Sequence, residues 1–219
     1  MIRAGRLLAA ALLLAVTAVV ATGHAQPKPS REQALANITK PEVETRREAA
    51  AWLGEVGTMA DAPVLLRALA DADEVVRALS EHSVWQVWSR SGDAETDHLL
   101  QMGIEQMGRR DGAAAAQTFS AVIQRQPDFA EGWNKRATVY FLMGEYQKSL
   151  QDCDEVMKRN PSHFGALAGY GQIYLQLDQP ERALQYFRRA LRVNPNLRGV
   201  AEIIPQLERA LMERRKGTI

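Results

Sequence analysis

The sequence predicts an all-α fold, a right-handed α-solenoid of helix–turn–helix repeats. Three observations carry that expectation. Between Thr96 and Leu197 the chain repeats at an interval of 34 residues: Pro127, Pro161 and Pro195 share one row, Phe119, Cys153 and Phe187 another, Gly103, Ala137 and Gly171 a third, and Ala115, Ser149 and Ala183 a fourth. A fixed period of this size marks stacked structural units. Within each copy apolar residues recur three and four apart, the spacing of an amphipathic helix. Last, two rows of small residues face each other where two helix axes must cross closely, since a Leu there would overpack by roughly 1–3 kcal/mol.

Taken in order, the chain begins with Arg3 and Arg6, then an apolar run from Leu7 to Ala21, then Gly23-His24-Ala25. This is the pattern of a secretory signal, cut after Ala25. The run of about 15 residues is short for a membrane span of roughly 20. The expectation for residues 1–25 is therefore a cleaved signal peptide and a periplasmic or secreted mature chain, with a retained membrane anchor as the alternative. The net charge of +1 comes from 27 cationic and 26 acidic side chains. Removing Arg3 and Arg6 leaves 25 against 26, a net charge of −1. Nothing in this balance favours nucleic acid, and no membrane contact is expected unless the signal is retained.

Residues 26–40 are polar with Pro27 and Pro29, which reads as a flexible leader. Residues 41–90 follow another helical pattern, in which TRREAAAWLGEVG at Thr45–Gly57 aligns with VRALSEHSVWQVW at Val76–Trp88. Asp61-Ala62-Pro63 starts a helix between them, and Asp71-Ala72-Asp73 caps the next. Trp85 and Trp88 share one helix face, either burying a junction or standing exposed as a partner anchor. Three units follow at 96–129, 130–163 and 164–197. In the second, Trp133, Ala137 and Tyr140 stripe the first helix, and Ser149, Cys153 and Val156 the second. Gly108, Gly144 and Asp178 fall where the first helix of each unit should stop, and Asn160-Pro161 and Asn194-Pro195 close units, because the residue before Pro leaves the helical region. Residues 198–215 are expected to form a capping helix with Val200, Ile203, Ile204, Leu207, Leu211 and Met212 on one side; Pro205 predicts a kink or fresh start near Ile204.

The second copy opens with AEGWNKRATVYFLMGEY and the third closes with ERALQYFRRALRVNP. These residues resemble the tetratricopeptide repeat (TPR), a helix–turn–helix unit with an early Trp or Leu, a small residue at the crossing and a closing Pro. Residues 41–90 resemble a HEAT-type repeat, expected to cap the apolar edge of the first unit.

Chemistry finds little footing. His24, His82, His98 and His163 lack ligand spacing with Cys or carboxylates, so no metal is expected. Gly165, Gly169 and Gly171 lie in a repeat helix and follow no strand, which excludes a phosphate loop. Cys153, the single cysteine, sits on a stripe expected to be buried; Asp152 and Asp154 beside it are expected on a solvated face. No nucleophile–base arrangement assembles. The expectation is a non-enzymatic chain with no cofactor.

The TPR resemblance implies a concave face, lined by the first helices, that meets a protein or peptide partner. Carried over residue by residue, the groove candidates are Leu100, Ile104 and Met107, then Asn134, Lys135, Thr138 and Phe141, then Ala168, Gln172 and Leu175. Met107 and Phe141 have an alternative role, packing between repeats. The basic pocket with which some relatives hold a C-terminal carboxylate is absent, because Leu100, Ile104, Gly165 and Gly169 occupy the positions that would need Lys, Asn or Arg. An exported scaffold or adaptor with an apolar groove is the reading that results. A lyase-type or chaperone-like accessory factor, implied by the likeness of the HEAT-like unit to repeats of bilin lyases, and a membrane-tethered scaffold are the alternatives.

Overall fold

Each of the three 34-residue copies turns between its two helices on one left-handed residue. The computed structural model describes residues 28–217. The expected signal segment 1–25 and its cut lie outside the described residues. The helices are α1 (Arg31–Asn37), α2 (Val43–Val56), α3 (Ala62–Ala68), α4 (Glu74–Trp88), α5 (Ala94–Gly108), α6 (Gly112–Arg125), α7 (Ala130–Leu142), α8 (Tyr146–Arg159), α9 (Phe164–Gln176), α10 (Pro180–Val193) and α11 (Arg198–Gly217), with a 3₁₀ turn at Met59–Asp61. There is no strand among the described residues. The chain is an α-solenoid.

The left-handed residues are Arg110, Gly144 and Asp178, with φ of 62°, 77° and 51°. The N–H of the residue after each one donates to the carbonyl five positions back: Asp111 to Gln106 at 3.0 Å, Glu145 to Tyr140 at 2.8 Å and Gln179 to Tyr174 at 2.8 Å. That bond and the left-handed residue together make the Schellman ending of a helix. Gly108, expected to stop the first helix, still lies within α5. The register, not the residue type, places the reversal two residues later at Arg110.

The crossings are complementary in volume. The glycines meet rings and not only the small row expected of them: Gly103 lies against Phe119 and Gly171 against Phe187, while the larger Ala137 shares its cluster with the smaller Cys153. A Cβ built on Gly103 or Gly171 would sit 2.5 or 2.4 Å from a ring carbon of its partner. Ala137, Ala183, Phe119, Phe187 and Cys153 are all buried. Where the other copies carry Ala115 and Ala183, Ser149 is kept by donating its hydroxyl to the Ala137 carbonyl at 2.7 Å.

Two expectations for the N-terminal segment need correction. The stretch 26–40, expected to be a flexible leader, contains α1, started by a Ser30–Gln33 capping box and anchored by buried Ala34 and Ile38. The Arg31 guanidinium also pairs with buried Asp61, both bonds 2.7 Å long. Helices α1 to α4 build one core around Leu53, Leu65, Leu69 and Val84, which also takes in Phe164 of the third repeat. The segment therefore does not cap the first repeat. It packs on the third and on the α10–α11 turn, where Trp85 and Trp88 find aromatic partners and Asn196 bonds the Leu69 carbonyl (2.8 Å) and Arg77 (3.1 Å).

α11 runs through Pro205 as one helix without a fresh start. Ala201, whose carbonyl loses its helical partner to the proline, is exposed. Leu211 anchors the far end of the helix in the core.

Candidate protein-binding groove

Helices α5, α7 and α9 form the inner layer of the array. Between α7 and α9, Asn134, Thr138 and Phe141 face Gly165, Gly169 and Gln172 across a slot of about 50 Å³ whose floor is Ala137, Cys153 and Ile173. The two glycines open this slot, since any side chain at Gly169 would point toward the Cys153 sulfur, 3.9 Å from its Cβ position. Thr138 and Gln172 are exposed, Phe141 is half-buried and Asn134 is buried.

The structure thus brings together four of the ten residues expected from the sequence. Ala168 and Leu175 are half-buried and do not line the slot. The first-copy candidates go elsewhere. Leu100 is buried among Ala115, Phe119, Val122 and Val139, with Ile104 and Met107 packed on the same cluster. Row membership alone does not decide the outcome: Asn134, in the row of Leu100, lines the slot, whereas Ile104, in the row of Thr138 and Gln172, packs into the first-repeat cluster. The residue in the first copy that continues the Lys135 row is exposed Gln101. Stepping back 34 positions from Lys135 would have found it.

Lys135 is not free to meet a ligand. Its Nζ lies 2.9 Å from Glu131 Oε1 and 5.8 Å from the Trp85 ring. Glu131 is fully buried; its other oxygen contacts His163 Nε2 at 3.0 Å. His163 Nδ1 accepts the Ala166 N–H at 3.0 Å and caps α9, so Nε2 carries the proton and donates it to Glu131. Burial pushes the Glu131 carboxyl upward, but the His163 bond and the Lys135 charge outweigh it and the carboxyl rests below its ordinary range. Trp88 stacks on His163 with centroids 4.5 Å apart, and Trp85 meets the same ring edge-on at 5.4 Å. Trp88 is buried and Trp85 half-buried, so the pair seals a junction. Trp85 walls off one end of the groove above Gly165, where a Cβ would come within 2.5 Å of its ring. Beyond Gln172, a second cavity of about 470 Å³ opens between α4, α9 and α11, lined by Glu81, Gln172, Phe187, Leu197 and Ile203.

Burial, then the Asp152 and Asp154 charges, push the Cys153 thiol up to about 12, far from a reactive thiolate. Asp152 is not on a solvated face as expected. It is buried in a two-bond pair with Arg136, each bond 2.8 Å, because Arg136 reaches across from α7. Asp154 is exposed and accepts the Tyr170 hydroxyl. No group of three metal-ligating side chains occurs among the described residues.

Residues 128–196 match the tetratricopeptide repeat family model. A TPR repeat-containing protein of Rhizobium etli is 34% identical over 124 residues, covering 57% of this chain and 61% of that protein. The chain therefore spans less than two thirds of that relative's length. Among solved structures, the Sgt2 TPR domain from Aspergillus fumigatus superposes with a TM-score of 0.54 at 17% identity, over 58% of this chain and 85% of that one. The first TPR of Spaghetti (RPAP3), bound to the HSP90 peptide SRMEEVD, gives 0.52 at 20% identity, over 55% of this chain and 96% of that one. Residues 128–196 thus carry the match to the tetratricopeptide repeat, within an all-helical solenoid.

Proposed function

We propose that the chain is an exported, non-catalytic adaptor that binds an apolar segment of a partner protein in its concave groove. One observation carries the reading: Thr138, Phe141, Asn134 and Gln172 converge over a floor opened by Gly165 and Gly169. The likeness to a TPR structure holding a peptide supports a polypeptide ligand. That peptide carries acidic residues toward its end; here the Lys135 charge is already neutralised by Glu131, so an apolar ligand fits better. The half-buried Phe141 supplies the apolar contact. Export rests on the signal pattern in residues 1–25. N-terminal sequencing of the mature chain reads it directly, and a start at Met1 would overturn it. Residues 41–90 act in this proposal as a HEAT-like module that closes the groove end through Trp85.

Exchanging exposed Thr138 and Gln172 for Arg together fills the slot without touching the core. The expected result is loss of the partner captured from an envelope extract, with helicity unchanged. Equal capture by the double variant removes the groove reading.

A further inference from the structure

The three repeats serve as internal controls for one another, and one junction between them is incomplete. At the junction of the second and third repeats, the Tyr146 ring packs beside Leu177 in the core and its hydroxyl reaches Gln176 at 3.4 Å. The residues in the same places one repeat earlier are Gly112, Met143 and Leu142. With Gly112 in place of the tyrosine, the Met143 thioether closes to 3.0 Å of the Gly112 Cβ position, and a cavity of about 450 Å³ remains beside it, lined by Met107, Arg110, Val139, Leu142 and Met143. This is within the size range of ligand pockets, roughly 300–1,000 Å³. Leu142 and Met143 stand 67% and 47% exposed at its rim, although the third repeat carries polar Gln176 where Leu142 stands.

The rim also carries an unmatched charge. Glu105 lies 3.9 Å from Arg109, Glu145 pairs with Lys148 at 3.1 Å, and Asp111 is engaged as the cap of α6. Arg110 lines the pocket and forms no ion pair among the described residues. It holds the left-handed turn position filled by Gly144 and Asp178 in the other copies, a conformation disfavoured for a long side chain.

The geometry points to a second docking surface at this edge, separate from the groove, that takes an aromatic side chain of a partner protein flanked by a carboxylate. The aromatic ring would lie in this cavity next to the Met143 side chain that packs on Gly112, against the sulfurs of Met107 and Met143, a favourable pairing. The carboxylate would meet Arg110.

The test uses the full chain with ¹³C-labelled methionine methyls and three short synthetic peptides: one with a central Tyr between Asp and Glu residues, one with that Tyr changed to Ala, and one with the acids changed to Lys. The expected result is saturable shifts of the Met107 and Met143 methyl signals with the first peptide, and binding at least about tenfold weaker with the other two. Gly112→Tyr, which copies the second repeat, should abolish the shifts. Arg110→Glu should reverse the preference toward the lysine peptide, a change that loss of structure cannot produce. Binding that is absent at about 5 mM, equal for all three peptides, untouched by Gly112→Tyr, or lost in the Thr138→Arg/Gln172→Arg groove variant would overturn the proposal.

Discussion

Gly171→Ala puts the crossing of α9 and α10 under direct test. The new Cβ would lie 2.4, 2.5 and 2.7 Å from three carbons of the Phe187 ring. Carbon atoms in contact prefer about 3.5–4.0 Å, so the ring or a helix axis must move by about 1 Å. Alanine recovers about 1 kcal/mol of helix propensity over glycine, while overpacking a filled core costs about 1–3 kcal/mol. Phe187 is buried and rigid, with no flexible end to yield. Overpacking should therefore win, with a net loss of about 1 kcal/mol. The second repeat already contains the compensated pair, Ala137 against Cys153. Phe187→Cys alone leaves a cavity and should cost about 3–5 kcal/mol, but the double variant Gly171→Ala/Phe187→Cys should be more stable than the sum of its parts by about 1 kcal/mol or more. Urea unfolding followed by circular dichroism on the four proteins closes the cycle. A neutral or stabilising Gly171→Ala, or an additive cycle, would refute volume complementarity as the rule of the crossing.

Other expectations follow from the buried groups. Because the Glu131 carboxyl lies below its ordinary value of 4.5 in the folded chain, it contributes stability above that pH which is lost as the pH falls through its folded value. Glu131→Gln should accordingly lower the urea midpoint at pH 7 and reduce its further fall below about pH 4.5, and parallel curves for the two proteins would contradict the assignment. Cys153, buried and with its thiol pushed up to about 12, should resist iodoacetamide at pH 8 until urea opens the chain; rapid alkylation of the native protein, read by mass, would show the stripe to be open. Trp88→Ala removes a buried indole from between His163 and Phe164 and should cost about 3–5 kcal/mol. Trp85→Ala, at a half-buried site, should cost clearly less in the same thermal melt.

Much of the array was legible before any coordinates, because its information is one-dimensional. A repeat contacts only its neighbours, so the interval, the helix stripes and the crossing rows are all encoded locally. The buried positions of Ala137, Cys153 and Ala183 follow from row membership alone. The groove was legible only in part. Helical spacing identifies a face but not which member of a row looks outward: Leu100 goes into the core while Asn134 of the same row lines the slot, and Gln101 beside Leu100 is exposed. Asp152 was misplaced for a related reason: its neighbour on Cys153's stripe is buried, and Arg136 from the facing helix makes burial of the carboxylate affordable.

The sequence by itself determined the class of fold, the pitch of 34, the turns at Gly144 and Asp178 and the burial of the single cysteine, since each depends on residues within one turn or one repeat of each other. Only the tertiary structure decided where the N-terminal helices come to rest. Their anchors, such as Arg77 to Asn196 and Asn196 to Leu69, join residues 119 and 127 positions apart. Contacts at that separation leave no periodic mark. They form because Trp85 and Trp88 find His163 and Phe164 across the groove, and that meeting is settled by the shape of the assembled solenoid.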